Sequence, residues 1–381
     1  MLARLSAGVL ARSLAQAGGV GCLAPALLAS RGYATRVSRG LLFEEHGDPE
    51  RVLRLHETTL PPEGELGDHE VLLHILAAPI NPSDINTIQG KYPITPELPG
   101  VPGHEGVAEV EAVGPKVTRM RPGDRVVPLE HGQGTWRSHG VFNERHWYRI
   151  PKDLTIATAA TMVVNPPTAV RLLDEFVQLA EGDTLVQNGA TSHVGKLVIQ
   201  LANARGINTV NIIRDRPDRA QAEAELRELG ATVVTTTGEA RVALKQAGLD
   251  KPKLALDCVS GEAATACAKA LAPGGTMVTY GAMSQQPLSV PPGLLIFSDI
   301  RLRGFWLTGG YAKMKDGWKA KEQLVDHVCA LFRTKVIKPT QVECVSLDRW
   351  EQALQRVKSD HRGGKVLLTS YSPEEVRGLE V

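Results

Sequence analysis

The segment Gly189-Ala-Thr-Ser-His-Val-Gly195-Lys196 joins two glycines to a lysine, the residue types of a phosphate-binding turn. It is not a P-loop. Five residues separate the glycines where that loop has four, and Leu197 stands where a Ser or Thr would hold magnesium. As a dinucleotide turn it makes better sense, because it follows the strand-like Leu185-Val-Gln and opens a helical stretch. Glycine there admits a pyrophosphate close to the backbone, and a helix N-terminus offers N–H donors with partial positive charge. The literal Gly-x-Gly-x-x-Gly is absent, so an ordinary strand–helix turn stays open as the alternative. The next strand ends in Arg214-Asp215-Arg216-Pro217. An enzyme that prefers NAD puts an acid there for the ribose 2′-hydroxyl, whereas two arginines suit a 2′-phosphate. Asp215 alone cannot cancel both, so NADPH is the expected cofactor. Other chemistry fails on spacing. His69-Glu70-Val-Leu-Leu-His74 is one residue too long for the zinc-protease motif and lies in a strand pattern. No Gly-x-Ser-x-Gly nucleophile turn occurs.

The elements that must position these residues change style along the chain. From about 37 to 150, short strand-like runs such as Glu70-Val-Leu-Leu-His-Ile-Leu and Arg125-Val-Val-Pro are broken by Gly and Pro, which predicts a barrel-like, β-rich domain. From about 165, short apolar runs alternate with helical stretches. Strands are expected at Thr184, Thr209, Thr232, Leu254 and Thr276, and helices over 194–204, 219–229 and 263–271. That alternation means βαβ units and a doubly wound parallel sheet, whose ligands bind beyond the C-terminal strand ends. The stretch 335–381 reverts to strand-like pieces around one helix and is expected to return to the first domain.

Composition narrows the function classes. The 381 residues carry 43 Lys+Arg against 42 Asp+Glu and only 4% aromatics, so neither a basic field nor stacking platforms for nucleic acid are available. Five cysteines without a Cys-x-x-Cys pair argue for a reducing compartment. No apolar stretch reaches the roughly 18–20 residues that cross a bilayer. The first acid is Glu44, and the stretch before it carries Arg4, Arg12, Arg31, Arg36 and Arg39 among Ser, Ala and Leu, the pattern of a mitochondrial presequence. Cleavage after Tyr33 would remove three arginines and take the net charge from +1 to −2.

Several motifs together carry a family resemblance. Gly103-His-Glu-Gly-Val-Ala-Glu-Val-Glu-Ala-Val-Gly114 followed by Pro122-Gly-Asp-Arg-Val126 resembles the medium-chain dehydrogenase/reductase superfamily. Pro79-Ile-Asn-Pro-Ser-Asp-Ile-Asn86, Ile88-Gln-Gly-Lys-Tyr92, Asn165-Pro-Pro-Thr-Ala169, Gly275-Thr-Met-Val-Thr-Tyr-Gly281 and Leu302-Arg-Gly-Phe-Trp-Leu307 are more specific. With Arg214–Pro217 they resemble the mitochondrial NADPH-dependent trans-2-enoyl reductases of fatty acid synthesis, over essentially the whole chain after residue 33. The resemblance implies a presequence over 1–33, a GroES-like catalytic domain over 34–165, a Rossmann NADPH-binding domain over 166–312, and a return to the catalytic domain over 313–381.

The resemblance also implies roles. Zinc alcohol dehydrogenases of the superfamily use Cys at the early and junction positions. Here those read Asn81-Pro-Ser-Asp84 and Asn165-Pro-Pro, so His104 and Glu105 are expected to be scaffold and no metal is expected. Tyr92 is the implied catalytic residue, hydrogen-bonding an oxyanion and protonating the α-carbon. Asn165 is expected near the nicotinamide, and Thr191, Ser192, His193 and Val194 around the pyrophosphate. Arg214, Asp215 and Arg216 fall to the 2′-phosphate, and Lys365 reaches the cofactor from the C-terminal return. Tyr280, Gly281, Ala282, Met283, Phe305, Trp306 and Leu307 would line the cofactor cleft. His104, His193 and Ala282 depart from common family residues. Expected partners are an enoyl thioester on CoA or acyl carrier protein and a second copy of the chain, with no nucleic acid and no membrane insertion. Lys313, Lys315, Lys319 and Lys321 are candidates for an acidic carrier, although they also read as a solvated helix face. A zinc-free quinone or alkenal reductase and a non-catalytic, crystallin-like NADPH-binding protein are the alternatives.

Overall fold

The computed structural model describes residues 36–359 and 364–371. The presequence expected over 1–33 lies outside the described residues. Two larger sheets carry the architecture. The first is built of short strands broken by turns, and its spatial order is Val342–Ser346, Lys365–Thr369, Glu70–Pro79, Val107–Val113, Arg125–Pro128 and Trp147–Ile150, with His139–Asn143 also pairing Glu70–Pro79. All but the first of these pairings are antiparallel. Along Val107–Val113, Val110 and Ala112 are buried while Glu109, Glu111 and Val113 are only half-buried, the alternation a two-residue period produces. Strands Val342–Ser346 and Lys365–Thr369 flank the helix Trp350–Lys358 and belong to this sheet, although they come last in the chain. A hairpin of Arg36–Leu42 and Arg54–Leu60 forms a separate two-stranded sheet.

The second sheet has six parallel strands in the order Val233–Thr236, Asn208–Ile213, Thr184–Asn188, Leu254–Asp257, Thr276–Thr279 and Arg301–Gly304. Numbered by sequence this is 3-2-1-4-5-6, the doubly wound dinucleotide-binding order. Its inner strands are continuous buried runs, as expected when helices cover both faces. The helix His193–Ala204 turns Val194, Leu197, Val198 and Leu201 into one core with Leu185, Leu254, Leu256 and Val278. Each such fully buried aliphatic side chain contributes about 1.5–3 kcal/mol. The order in which strands are added reverses between the parallel neighbours Thr184–Asn188 and Leu254–Asp257, and a buried bond from Asn188 Nδ2 to Asp257 Oδ1 (2.6 Å) pins that crevice.

Two details go beyond the sequence reading. The junction Asn165-Pro-Pro opens a helix, Asn165–Asp174, because proline's fixed φ suits a first turn whose N–H groups lack helical partners. The motif Leu302–Leu307 is strand only as far as Gly304, and Leu307 begins a new helix, Leu307–Ala312. No helix among the described residues is long and apolar enough to cross a membrane.

Candidate active site

Tyr92 follows the helix Pro82–Ile88 of the antiparallel part, and Trp306 follows the last strand of the parallel sheet. The two meet: Trp306 Nε1 donates to Tyr92 Oη at 3.0 Å, with the rings edge to face. The resemblance placed Trp306 only among the residues lining the cofactor cleft, and its position beside the phenol is new. Burial raises the Tyr92 pKa above its usual value, opposed by hydrogen bonds from Trp306 and Thr308. The phenol is therefore protonated at neutral pH, as a proton donor must be. Thr308 in turn bonds His131 Nδ1 through its hydroxyl at 2.9 Å. Neither Thr308 nor His131 stood out in the sequence, because nothing in their spacing signals a contact.

Behind Tyr92 lies a buried polar framework. His104 Nε2 bonds the Thr87 hydroxyl at 2.8 Å, and its ring centroid is 5.4 Å from that of Tyr92. Burial lowers the pKa of His104 to about 4 and of His131 to about 3, so both rings are neutral at pH 7. The Asp84 carboxylate accepts from the backbone N–H groups of Asn81 (2.7 Å) and His104 (2.9 Å). Burial nevertheless raises its pKa to about 7, more than those two bonds lower it. Glu105 has no exposed surface and is satisfied by several donors. Its Oε1 accepts from Val163 and Val164 N–H (3.0 and 2.9 Å), its Oε2 accepts from Asn81 Nδ2 (3.0 Å), and Lys365 Nζ lies 3.5 Å from Oε2. This one carboxylate thus ties the strand from Lys365 to the turn that delivers Asn165. Unpaired, it would cost several kcal/mol. Asn81, Asp84 and Glu105 all lay in recognised motifs, but their mutual bonding was invisible in the sequence. A small cavity beside this framework is lined by His104, His131, Pro167, Tyr311, Lys321 and Val325. Lys321 is thus half-buried, its ammonium over the rings of Tyr311 and Trp318, and does not belong to the solvated basic face expected for it. Lys313, Lys315 and Lys319 are exposed.

The candidate cofactor residues gather at the C-terminal ends of the parallel strands. Gly189 sits at φ +59°, and a Cβ there would stand 2.5 Å from Cys258 Sγ, so only glycine fits the turn. A Cβ on Gly195 would come within 2.6 Å of the Ala190 carbonyl, so glycine is also what lets the helix start against the turn. Between them run Thr191 and Ser192, and the Ser192 hydroxyl caps the helix by accepting from Gly195 N–H at 3.1 Å. Val194 is buried under that first turn. His193 faces Asn165: the Asn165 amide and His193 Nδ1 are 3.2 Å apart. Burial holds His193 well below its ordinary pKa, and donation from Asn165 to Nδ1 leaves the neutral ring's proton on Nε2. Arg214, Asp215 and Arg216 follow the end of strand Asn208–Ile213. Asp215 is 3.8 Å from Arg219, and Arg216 pairs Asp218 at 2.7 Å. Tyr280, Gly281, Ala282 and Met283 follow the strand Thr276–Thr279, anchored by bonds from Tyr280 N–H to the Asp257 carbonyl and from Met283 N–H to the Cys258 carbonyl. Phe305 packs on Phe176 and Arg171, while the Leu307 carbonyl accepts from Arg171 at 3.0 Å. Lys365 points its ammonium at Glu105. The glycine cradle, the open helix N-terminus and the arginines past the second strand form a donor set that fits NADPH.

This geometry has close counterparts among known proteins. Residues 67–171 match the alcohol dehydrogenase GroES-like domain, and residues 194–324 match the zinc-binding dehydrogenase domain. A protein from Xenopus tropicalis called enoyl-[acyl-carrier-protein] reductase, mitochondrial, is 42% identical over 344 residues, 89% of this chain and 97% of that one. The fold of Etr1p, solved with NADP and crotonyl-CoA, superposes with a TM-score of 0.81 at 32% identity, covering 88% of this chain and all of that one. A mitochondrial 2-enoyl thioester reductase heterodimer, Etr1p/Etr2p from Candida tropicalis, gives 0.80 at 32% identity, with the same coverage. The chain belongs to the family of mitochondrial enoyl-[acyl-carrier-protein] reductases.

Proposed function

We infer that this protein reduces trans-2-enoyl thioesters to saturated acyl thioesters with NADPH, in mitochondrial fatty acid synthesis. Its family membership supports the activity and the compartment. The observation that carries the mechanism is the Trp306–Tyr92 hydrogen bond beside the C-terminal ends of the parallel strands. NADPH, when bound, supplies a hydride to the β-carbon of the substrate. Negative charge then gathers on the thioester as an enolate. The Tyr92 hydroxyl hydrogen-bonds it and gives its proton to the α-carbon; the phenol O–H bond breaks as the C–H bond forms. Trp306 N–H stabilises the phenolate left behind. His193 Nε2–H and the backbone around Thr191, Ser192 and Val194 hold the pyrophosphate. Arg214 and Arg216 hold the 2′-phosphate, with Asp215 drawn off towards Arg219. Asn165 orients the nicotinamide end, and Lys365 acts there through Glu105. Tyr280 to Met283 and Phe305 to Leu307 wall the cleft.

Two partners extend this reading. Acyl carrier protein docks on the exposed cations Lys313, Lys315 and Lys319 near the cleft. A second copy covers the edge strand Arg301–Gly304, which is exposed along its length beside Phe297 (85% exposed) and Ile296 (69%).

The test is oxidation of NADPH, beside NADH, with a medium-length trans-2-enoyl-CoA by the wild type and Tyr92→Phe. NADPH-selective turnover that is lost in the variant, with NADPH still bound, is expected. Inert enoyl-CoA with active quinone reduction would overturn the substrate assignment and leave the fold untouched.

A further inference from the structure

We propose that His74, Glu111 and His139 form a binding site for one divalent transition-metal ion of the zinc class, on the antiparallel sheet and outside the hydride-transfer cleft. Their side chains offer one donor atom each, all within 4.8 Å of one another, and among the described residues no other trio of His, Cys, Asp or Glu comes as close.

The sheet brings them together. His74 and His139 are directly paired across antiparallel strands, so their side chains stand side by side on one face. Their rings are 4.5 Å apart between centroids and nearly parallel, at 8°. Glu111 arrives from the other neighbour of His74's strand. There the register passes from Leu72–Ala112 to Leu73–Val110 and leaves Glu111 unpaired, a bulge of the kind that re-aims a side chain. Nothing in the sequence marks the trio, because their separations along the chain follow no ligand motif.

The donor geometry is close to what zinc needs. Tetrahedral zinc with ligands at about 2.0–2.2 Å keeps its donors roughly 3.4 Å apart, and His139 Nε2 already lies 3.6 Å from Glu111 Oε1. Arg36 takes the other carboxylate oxygen, Oε2, and so turns Oε1 towards His139. The Ser138 hydroxyl holds His139 Nδ1 at 3.1 Å, and the Ser370 hydroxyl holds His74 Nε2 at 2.9 Å. Such partners fix ring orientation in metal-binding histidines. Closing the trio on an ion needs a tilt of the stacked rings about χ2, a broad torsion for histidine. Two imidazoles and a carboxylate suit Zn2+ better than Mg2+ or Ca2+, which prefer oxygen donors.

The experiment titrates Zn2+ into the chelator-stripped, full-length protein by calorimetry, beside His74→Gln and His139→Gln. One equivalent is expected to bind the unaltered protein, at least tenfold more weakly in each variant, while NADPH-dependent turnover in both shows that they are folded. Absence of saturable binding, or equal binding by the variants, overturns the site. Co2+ in the unaltered protein gives a reading that needs no variant. Intense four-coordinate visible bands are expected, and only the weak bands of the six-coordinate aquo ion would overturn the site.

Discussion

The indole of Trp306 and the phenol of Tyr92 are joined by a 3.0 Å hydrogen bond across 214 positions of sequence. Tyr92 comes from the loop after a helix of the antiparallel part, and Trp306 from the loop after the last parallel strand. The bond therefore forms only where the two parts pack together. Its donor is aimed at the oxygen that, in the proposed mechanism, becomes negative when Tyr92 gives up its proton. Trp306→Phe keeps the ring and removes the donor. A hydrogen bond to a charged group contributes about 1.5–3 kcal/mol, so kcat is expected to fall about 10- to 100-fold. Steady-state kinetics check this, with little change in the KM for NADPH.

His131 gives a pH prediction. Its folded pKa of about 3 lies below the unfolded value near 6.5, so the unfolded chain binds the extra proton first as pH falls. The stability linked to this group is present above pH 6.5 and is lost as pH falls towards 3. His131→Asn removes that loss while keeping a side-chain partner for Thr308. Melting curves at pH 7.5 and pH 5 should show a smaller drop in Tm for the variant than for the wild type.

On the reading proposed above, cofactor choice depends on Arg214 and Arg216. Removing either takes away a charge-assisted contact to the 2′-phosphate, each contributing about 1.5–3 kcal/mol. Arg214→Ala and Arg216→Ala are expected to raise the KM for NADPH about 10- to 100-fold and to leave that for NADH nearly unchanged. The ratio of kcat/KM for the two cofactors measures it.

Gly189→Ala tests the turn itself. At φ +59° an alanine carries about 1–2 kcal/mol of backbone strain, and its methyl would meet Cys258 Sγ at 2.5 Å. Overpacking adds about 1–3 kcal/mol. A lower Tm together with weaker NADPH binding, read by fluorescence titration, is the expected result.

How much of this was legible beforehand depends on whether the cause is local. The parallel sheet could be read because its signals are local: buried runs such as Leu254–Asp257, helical stretches between them, and the glycines that bound the first turn. The arginines after the second strand could be read for the same reason, since a βα turn places them by adjacency. The proline pair after Asn165 starts a helix, a local consequence of proline's fixed φ that the junction reading did not specify. What bonds to what was decided by packing. Glu105 meets Lys365 from 260 positions away, and Thr308 meets His131 across 177. His74 and His139 are brought face to face by strand register, and Glu111 joins them through a bulge. Each of these contacts couples side chains from strands or loops distant in sequence, and no residue spacing encodes such a distance. The sequence by itself determined the kinds of element and the chemistry available to each. Only the tertiary structure decided which donors and acceptors meet, because burial forces each polar group to find a partner among whatever neighbours the fold supplies.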